Sequence, residues 1–183
     1  MESLQGNFLI ATPRMPDPRF KQQVVYLCAH NDAEGAMGLI INQVSSHSLA
    51  EVMEGAGIQV PSLSLPPIHL GGPVEMEAGF FLFSADFECQ HYLEVTSRIR
   101  LSSDVAILRD IARGAAPADY LFALGYSGWA PGQLERELAD DAWLVLPGDY
   151  EVIFHTPVER KWKQAASLGG IDIAIFGGVV GSA

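Results

Sequence analysis

The sequence predicts an α+β fold, and three observations point to it. Apolar, β-rich runs lie next to one another in the chain, as at residues 24–29 and 36–41, so strands are expected to pair locally. Helix signals are scattered among those runs instead of alternating with them as a βαβ array requires. At 183 residues and 49% hydrophobic composition the chain can enclose one sizeable core, and neither an internal repeat nor a low-complexity linker divides it. Residues 1–183 are therefore expected to form a single domain.

In order, residues 8–12 read as a short strand that Pro13, Pro16 and Pro18 bring to an end, because proline cannot donate to a ladder. Residues 24–29 and 36–41 form a hairpin around the polar stretch 30–35. Both runs are nearly all apolar, so both faces are expected to be covered. Ser48-Leu49-Ala50-Glu51 fits a capping box for a short helix stopped at Gly55 or Gly57. A loop with Pro61, Pro66 and Pro67 leads through Ile68-His69-Leu70 into a turn at Gly71-Gly72-Pro73. Residues 79–83 are a core strand and 92–96 a weaker one. Ser102 or Ser103 can cap a helix carrying Val105, Ile107, Leu108 and Ile111, closed by Arg113 and Gly114. The uncharged run 120–124 is a central strand that empties into a glycine-rich turn at 125–132 and a helix from Pro131 to Ala139. Residues 143–146 and 151–154 are strand-like. Thr156-Pro157-Val158-Glu159 fits a second capping box, opening a helix through Trp162 and Ala165 to Leu168 that Gly169-Gly170 stop.

Charge narrows the function classes. A formal net charge of −11 repels phosphate backbones and anionic membranes, so direct nucleic-acid binding is not expected. The basic clusters, Arg98 with Arg100 and Arg160 with Lys161 and Lys163, read as solvated faces. Two cysteines, Cys28 and Cys89, form no disulfide framework and no CxxC pair, which fits a reducing cytoplasm. The first residues carry no basic n-region. The glycine-rich end, residues 169–183, is broken by Asp172 and Gly177-Gly178, so no membrane span is expected.

Four constellations could carry chemistry. Cys28 and His30 stand two apart on a strand and should leave the same face, where an imidazolium could activate the thiol. A buried Cys28 and a hydrogen-bonding His30 at the turn edge are the simpler reading. Ser127 lies between a strand and a helix, with Asp140, Asp141, Asp149 and then His155 in hydrolase order. The glycine two residues beyond the serine is lacking, and Pro131 starts the helix too late for a nucleophile elbow. His30, Asp32, His47, His69, His91 and His155 include no histidine pair at helical i, i+4 spacing, so neither metal nor cofactor is expected. The fourth is the pair of glycine turns. Gly71 and Gly72, with Gly125, Ser127, Gly128 and Trp129, would leave backbone N–H groups free for a small anionic ligand or a partner's carboxylate. Gln133 and Glu137, one helical turn apart, could hold a ligand or another loop. Close backbone packing around Trp129 is the plainer alternative.

Taken together, Gly6-Asn7-Phe8-Leu9-Ile10-Ala11 with Pro13, Gly35-Ala36-Met37-Gly38-Leu39-Ile40-Ile41-Asn42, Gly71-Gly72-Pro73-Val74, Gly125-Tyr126-Ser127-Gly128-Trp129 and Gly132-Gln133-Leu134-Glu135-Arg136-Glu137 resemble the YqgE/AlgH family of bacterial proteins, in order and over nearly the whole chain. The chain departs from the family pattern at Gln43-Val44 and at Phe83. The resemblance implies an α+β fold whose branched, mixed or antiparallel sheet includes a small closed barrel surrounded by helices, a cytosolic location, and the label of transcriptional regulator. The acidic charge argues against contact with DNA. The expected function is a non-enzymatic regulatory or adaptor protein that binds a protein partner or small ligand beside residues 125–133. A DNA-acting regulator and a Cys28–His30 enzyme are the alternatives.

Overall fold

The computed structural model describes residues 2–177, so the part of the glycine-rich end beyond residue 177 lies outside the described residues. Ten strands form one branched sheet: β1 (Asn7–Ala11), β2 (Val24–Asn31), β3 (Gly35–Ile40), β4 (Val44–Ser48), β5 (Pro67–Leu70), β6 (Val74–Ser84), β7 (Leu93–Thr96), β8 (Ile99–Ser102), β9 (Tyr120–Trp129) and β10 (Trp143–Pro147). The main path runs β10-β1-β2-β3-β9-β6-β8-β7, and its pairs are antiparallel. A branch leaves it where β5 pairs parallel with β9 and antiparallel with β4.

The sheet does not close, which corrects the expected small barrel. No ladder joins β10 and β7, the two ends of the path. Instead the Gln5 side-chain amide, just ahead of β1, donates to the Glu94 and Val95 carbonyls at 3.1 and 3.0 Å.

The hairpin forms as β2 and β3, and both of its faces are buried. Val24, Tyr26 and Cys28 enter the main core with Phe8, Leu39 and Leu82, while Val25 and Leu27 enter a second cluster with Leu9, Trp129 and Leu134. A third cluster packs α1 (Leu49–Gly55) and α2 (Val105–Ala112) on β5, β6 and β9 through Met53, Ile107, Ile111 and Phe122. The Ser48 capping box forms as expected, but α2 is capped by Asp104, whose carboxylate accepts from the Ala106 N–H, and not by Ser102 or Ser103.

Helix α3 (Gln133–Ala139) starts two residues later than expected, after a left-handed Gly132. Residues 151–154 are not a strand. They belong to α4 (Tyr150–Phe154), because the Asp149 side chain accepts from the Val152 N–H and satisfies a first-turn donor. The second capping box does not form. Thr156 donates to the Glu151 carbonyl, residues 158–160 make a 3-10 turn, and α5 (Lys161–Leu168) follows. A last turn, α6, spans Ala174–Gly177. Among the described residues no helix is long and apolar enough to cross a membrane.

Candidate functional site

The stretch expected to be a glycine-rich turn is the second half of a strand. Up to Leu124, β9 pairs with β5 and β6. Beyond Gly125 it keeps one β6 pair, Tyr126 with Val74, and exchanges β5 for β3, through Ser127 with Gly38, Gly128 with Met37 and Trp129 with Ala36. Gly125 makes the change of partner possible. Its φ is +71°, and a Cβ there would sit 2.5 Å from the Gly72 carbonyl oxygen. From the other side, a Cβ on Gly71 would sit 2.3 Å from the Gly125 carbonyl oxygen. The expected free amide cradle is therefore not built at Gly71. Its N–H donates to Leu124 O at 2.8 Å, and its carbonyl accepts from the Ile40 N–H and from Ser127 Oγ.

The polar groups of α3 close on one another. Glu137 Oε2 accepts from both indoles, Trp129 Nε1 at 2.9 Å and Trp143 Nε1 at 2.7 Å, while Gln133 Nε2 donates to Glu137 Oε1 at 2.9 Å. Gln133 Oε1 accepts in turn from the Ala130 N–H. This knot fastens α3 to β9 and β10 and orients the two stacked tryptophans, whose rings meet edge to face at 5.9 Å. The carboxylate and amide expected to offer themselves to a ligand thus hold the motif in shape.

The Cys28–His30 pairing fails at a β-bulge. The register moves from Leu27–Gly38 to Ala29–Met37, leaving Cys28 without its own partner, and this reverses the strand's alternation beyond that point. Cys28 points into the main core at 0% exposure, and burial raises its thiol far above the usual range. His30 faces α3. Its Nδ1 accepts from the Leu4 N–H at 2.9 Å, so Nε2 carries the proton toward Glu135 Oε1 at 2.8 Å. His30 stabilises the Glu135 carboxylate, which it holds below the ordinary range.

Neither alternative catalytic set assembles. Ser127 is 1% exposed beneath Gly71, while His155 lies between Glu151 and Asp119 at 2.7 and 2.8 Å, and those contacts raise its pKa. Asp141 pairs with Arg14 and Asp149 caps α4. Among the described residues no group of three or more His, Cys, Asp or Glu could hold a metal ion. His69 on β5 is buried. Burial, and then the nearby Lys161 charge, pushes it down to about 3, against a pull from the Phe122 backbone that falls short of hydrogen-bond geometry.

Three of the five clustered basic residues are occupied as well. Arg98 lies 4.1 Å over the Tyr150 ring and Arg100 4.1 Å over that of Tyr92. Lys161, expected on a solvated face, is buried and donates to the Ile41 and Ile153 carbonyls at 2.9 and 2.7 Å. Burial pushes its ammonium down to about 8 from an ordinary value of 10.5. Between those values the unfolded chain binds the proton that the folded one has lost, so this group's contribution to stability rises with pH. The unfolding free energy of the wild type in urea, measured against Lys161→Met at pH 7.5 and pH 10, should gain roughly 1–3 kcal/mol at the higher pH. Parallel midpoints would show that the lysine does not titrate in that window.

What stands open is a groove of about 630 Å³ over β3, β9 and β6. Its floor is Met37, Phe80 and Tyr126, each half-buried against the main core, and Gly128 and Trp129 line one side. Glu34 and Glu75 stand at its rim. Of the residues singled out in the sequence, the groove brings together Gly128 and Trp129 and leaves Gly71, Gly72, Gly125, Gln133 and Glu137 behind it as support. The floor is not an expectation of the sequence: Phe80 and Tyr126 pair at a ring distance of 5.7 Å, but Phe80 reads as core strand and Tyr126 as part of a glycine-rich turn.

A family model described as AlgH-like matches residues 8–174. A UPF0301 protein of Desulfotalea psychrophila is 46% identical over 176 residues, covering 95% of this chain and 92% of the relative. One from a Marinomonas species is 43% identical over 174 residues, covering 94% and 92%. The solution structure of the AlgH protein from Pseudomonas aeruginosa superposes with a TM-score of 0.80 at 39% identity, over 100% of this chain and 97% of that one. A Corynebacterium diphtheriae protein at 20% identity shares the fold, with a TM-score of 0.70 over 87% and 83% of the two chains.

Proposed function

The chain belongs to the AlgH-like family, and on that premise we propose that it is a non-enzymatic regulatory or adaptor protein, a single cytoplasmic domain whose partner docks in the groove over Gly128 and Trp129. The observation that carries this reading is the groove itself, an apolar floor left open at the edge of the main core, beside a motif whose own polar groups are spent on holding its shape. The groups best suited to covalent chemistry lie elsewhere, with Cys28 in the core and Ser127 under Gly71. A DNA-acting regulator would need Arg98, Arg100, Arg160, Lys161 and Lys163 to converge, and three of these are committed to tyrosine rings or buried carbonyls.

Gly128→Trp tests the proposal because it fills the groove without asking for a left-handed backbone. The nearest atoms to an added Cβ belong to the Tyr126 ring at 3.0 Å, which can yield. Protein isolated from its native cells should carry a partner or ligand by native mass spectrometry that the variant loses, with hydrogen-exchange protection at residues 35–37 and 126–129. The same bound species in both proteins, or none in either, would overturn the reading.

A further inference from the structure

The groove continues past Phe80. That ring also lines a second groove of about 580 Å³, over β8 and the edge strand β7, whose walls include Tyr92, Leu93, Leu101 and Val105. Both grooves therefore lie on one face, joined at a single side chain. The surface is unusually apolar for an exposed one: Tyr92, Leu93 and Val105 are each more than 40% exposed. Carboxylates stand at both grooves, Glu34 and Glu75 at the first and Asp104 at the second, where the exposed His91 lies 3.6 Å from Asp104 and Arg100 packs over the Tyr92 ring. Neither groove has a lysine or arginine in its lining.

Resting on the groove reading above, we propose that the partner is a cationic amphipathic protein segment that lies across both grooves, its apolar side on Met37, Phe80 and Leu93 and its lysines or arginines against Glu34, Glu75 and Asp104. Charge decides against a second copy of this chain. A net charge of −11 and the carboxylates Glu34, Glu75 and Asp104 at the grooves would set like charges against each other, whereas a basic segment gains from the same field in both encounter and register. The face spans β3, β9, β6, β8 and β7, roughly 19 Å at the usual strand spacing, which a helix of roughly 13 residues covers. Such a helix would lay its apolar stripe into the joined grooves as helix-in-groove partners do.

Fluorescence anisotropy with a labelled 14-residue amphipathic helix of leucine and lysine tests the proposal, against a leucine and glutamate counterpart. The lysine peptide should bind and the glutamate peptide should not. Glu34→Lys with Glu75→Lys should weaken binding at least tenfold. The equal change in net charge at Glu54→Lys with Glu159→Lys, away from the grooves, should weaken it less than threefold. Leu93→Ser, an exposed change in the second groove, should cost at least fivefold and show that both grooves are used. Equal weakening by the two charge reversals, or no effect of Leu93→Ser, would overturn the proposal. So would a concentration-dependent dimer in sedimentation velocity that Leu93→Ser abolishes, since it would assign the face to a second copy. If the lysine peptide fails to bind while Gly128→Trp still loses a native partner, the groove reading stands and the cationic assignment falls. If Gly128→Trp binds the lysine peptide as the wild type does, it is the groove reading that falls.

Discussion

Gly125→Ala is expected to lower stability by about 4 kcal/mol, a loss of roughly 10 °C in thermal midpoint for a chain of this length. Two costs add. An alanine at φ +71° takes a left-handed conformation that costs about 1–2 kcal/mol, and its methyl would lie 2.5 Å from the Gly72 carbonyl oxygen, a backbone atom that cannot rotate away. Two further variants separate these costs. Gly114→Ala has the same left-handed backbone at φ +80° with no atom within 4 Å of the new methyl, so it should lose only about 1 kcal/mol. Gly71→Ala has the clash without a left-handed φ and should fall between them. Thermal midpoints that rank Gly125→Ala no lower than Gly114→Ala would show that the crossing of the two glycine segments does not hold the sheet branch.

That crossing marks what was legible in the sequence and what was not. The glycines at 71, 72 and 125 read as turns with amides free for an anion, or as close packing around Trp129, whereas they let two backbone segments cross. A turn was the natural reading of Gly125 to Gly132, because two segments meeting from 54 positions apart leave no local trace. The same limit hides the groove: Met37 and Phe80 read as strand interior and Tyr126 as turn, and only the register of β3, β9 and β6 sets them side by side. The hairpin was legible because both of its strands are buried on both faces. Strand β4 was not, since Val44-Ser45-Ser46-His47-Ser48 is largely exposed and carries no apolar alternation. Residues 151–154 read as a strand because the three-residue apolar run 152–154 has no period of its own, and Asp149, two residues ahead of Glu151, decides for helix. Cys28 and His30 show how one inserted residue defeats a spacing argument: without the bulge they would share a face.

Glu137 is where the motif's chemistry and its stability coincide, and Glu137→Leu should cost about 3–5 kcal/mol. The substitution leaves Trp129 Nε1 and Trp143 Nε1 without their acceptor, both on tryptophans that are buried, and each orphaned donor costs about 1–3 kcal/mol. Leucine restores some apolar contact but no lone pair. Glu137→Gln should lie between the two, because its one amide oxygen can still accept from the indoles while its NH2 then faces Gln133 Nε2, donor against donor. Relieving that clash by turning Gln133 would remove the Oε1 acceptor from the Ala130 N–H, so the loss moves along the network without disappearing. Adding Gln133→Glu to Glu137→Gln supplies an acceptor at that contact and should recover part of the loss, while Gln133→Glu alone sets two carboxylates together and should not stabilise. Urea unfolding followed by tryptophan fluorescence reads stability and indole environment together. If Glu137→Leu unfolds within about 1 kcal/mol of the wild type with an unchanged emission maximum, the carboxylate is not what holds α3 to β9 and β10. Its placement in the motif would then have to be explained by what binds beside it.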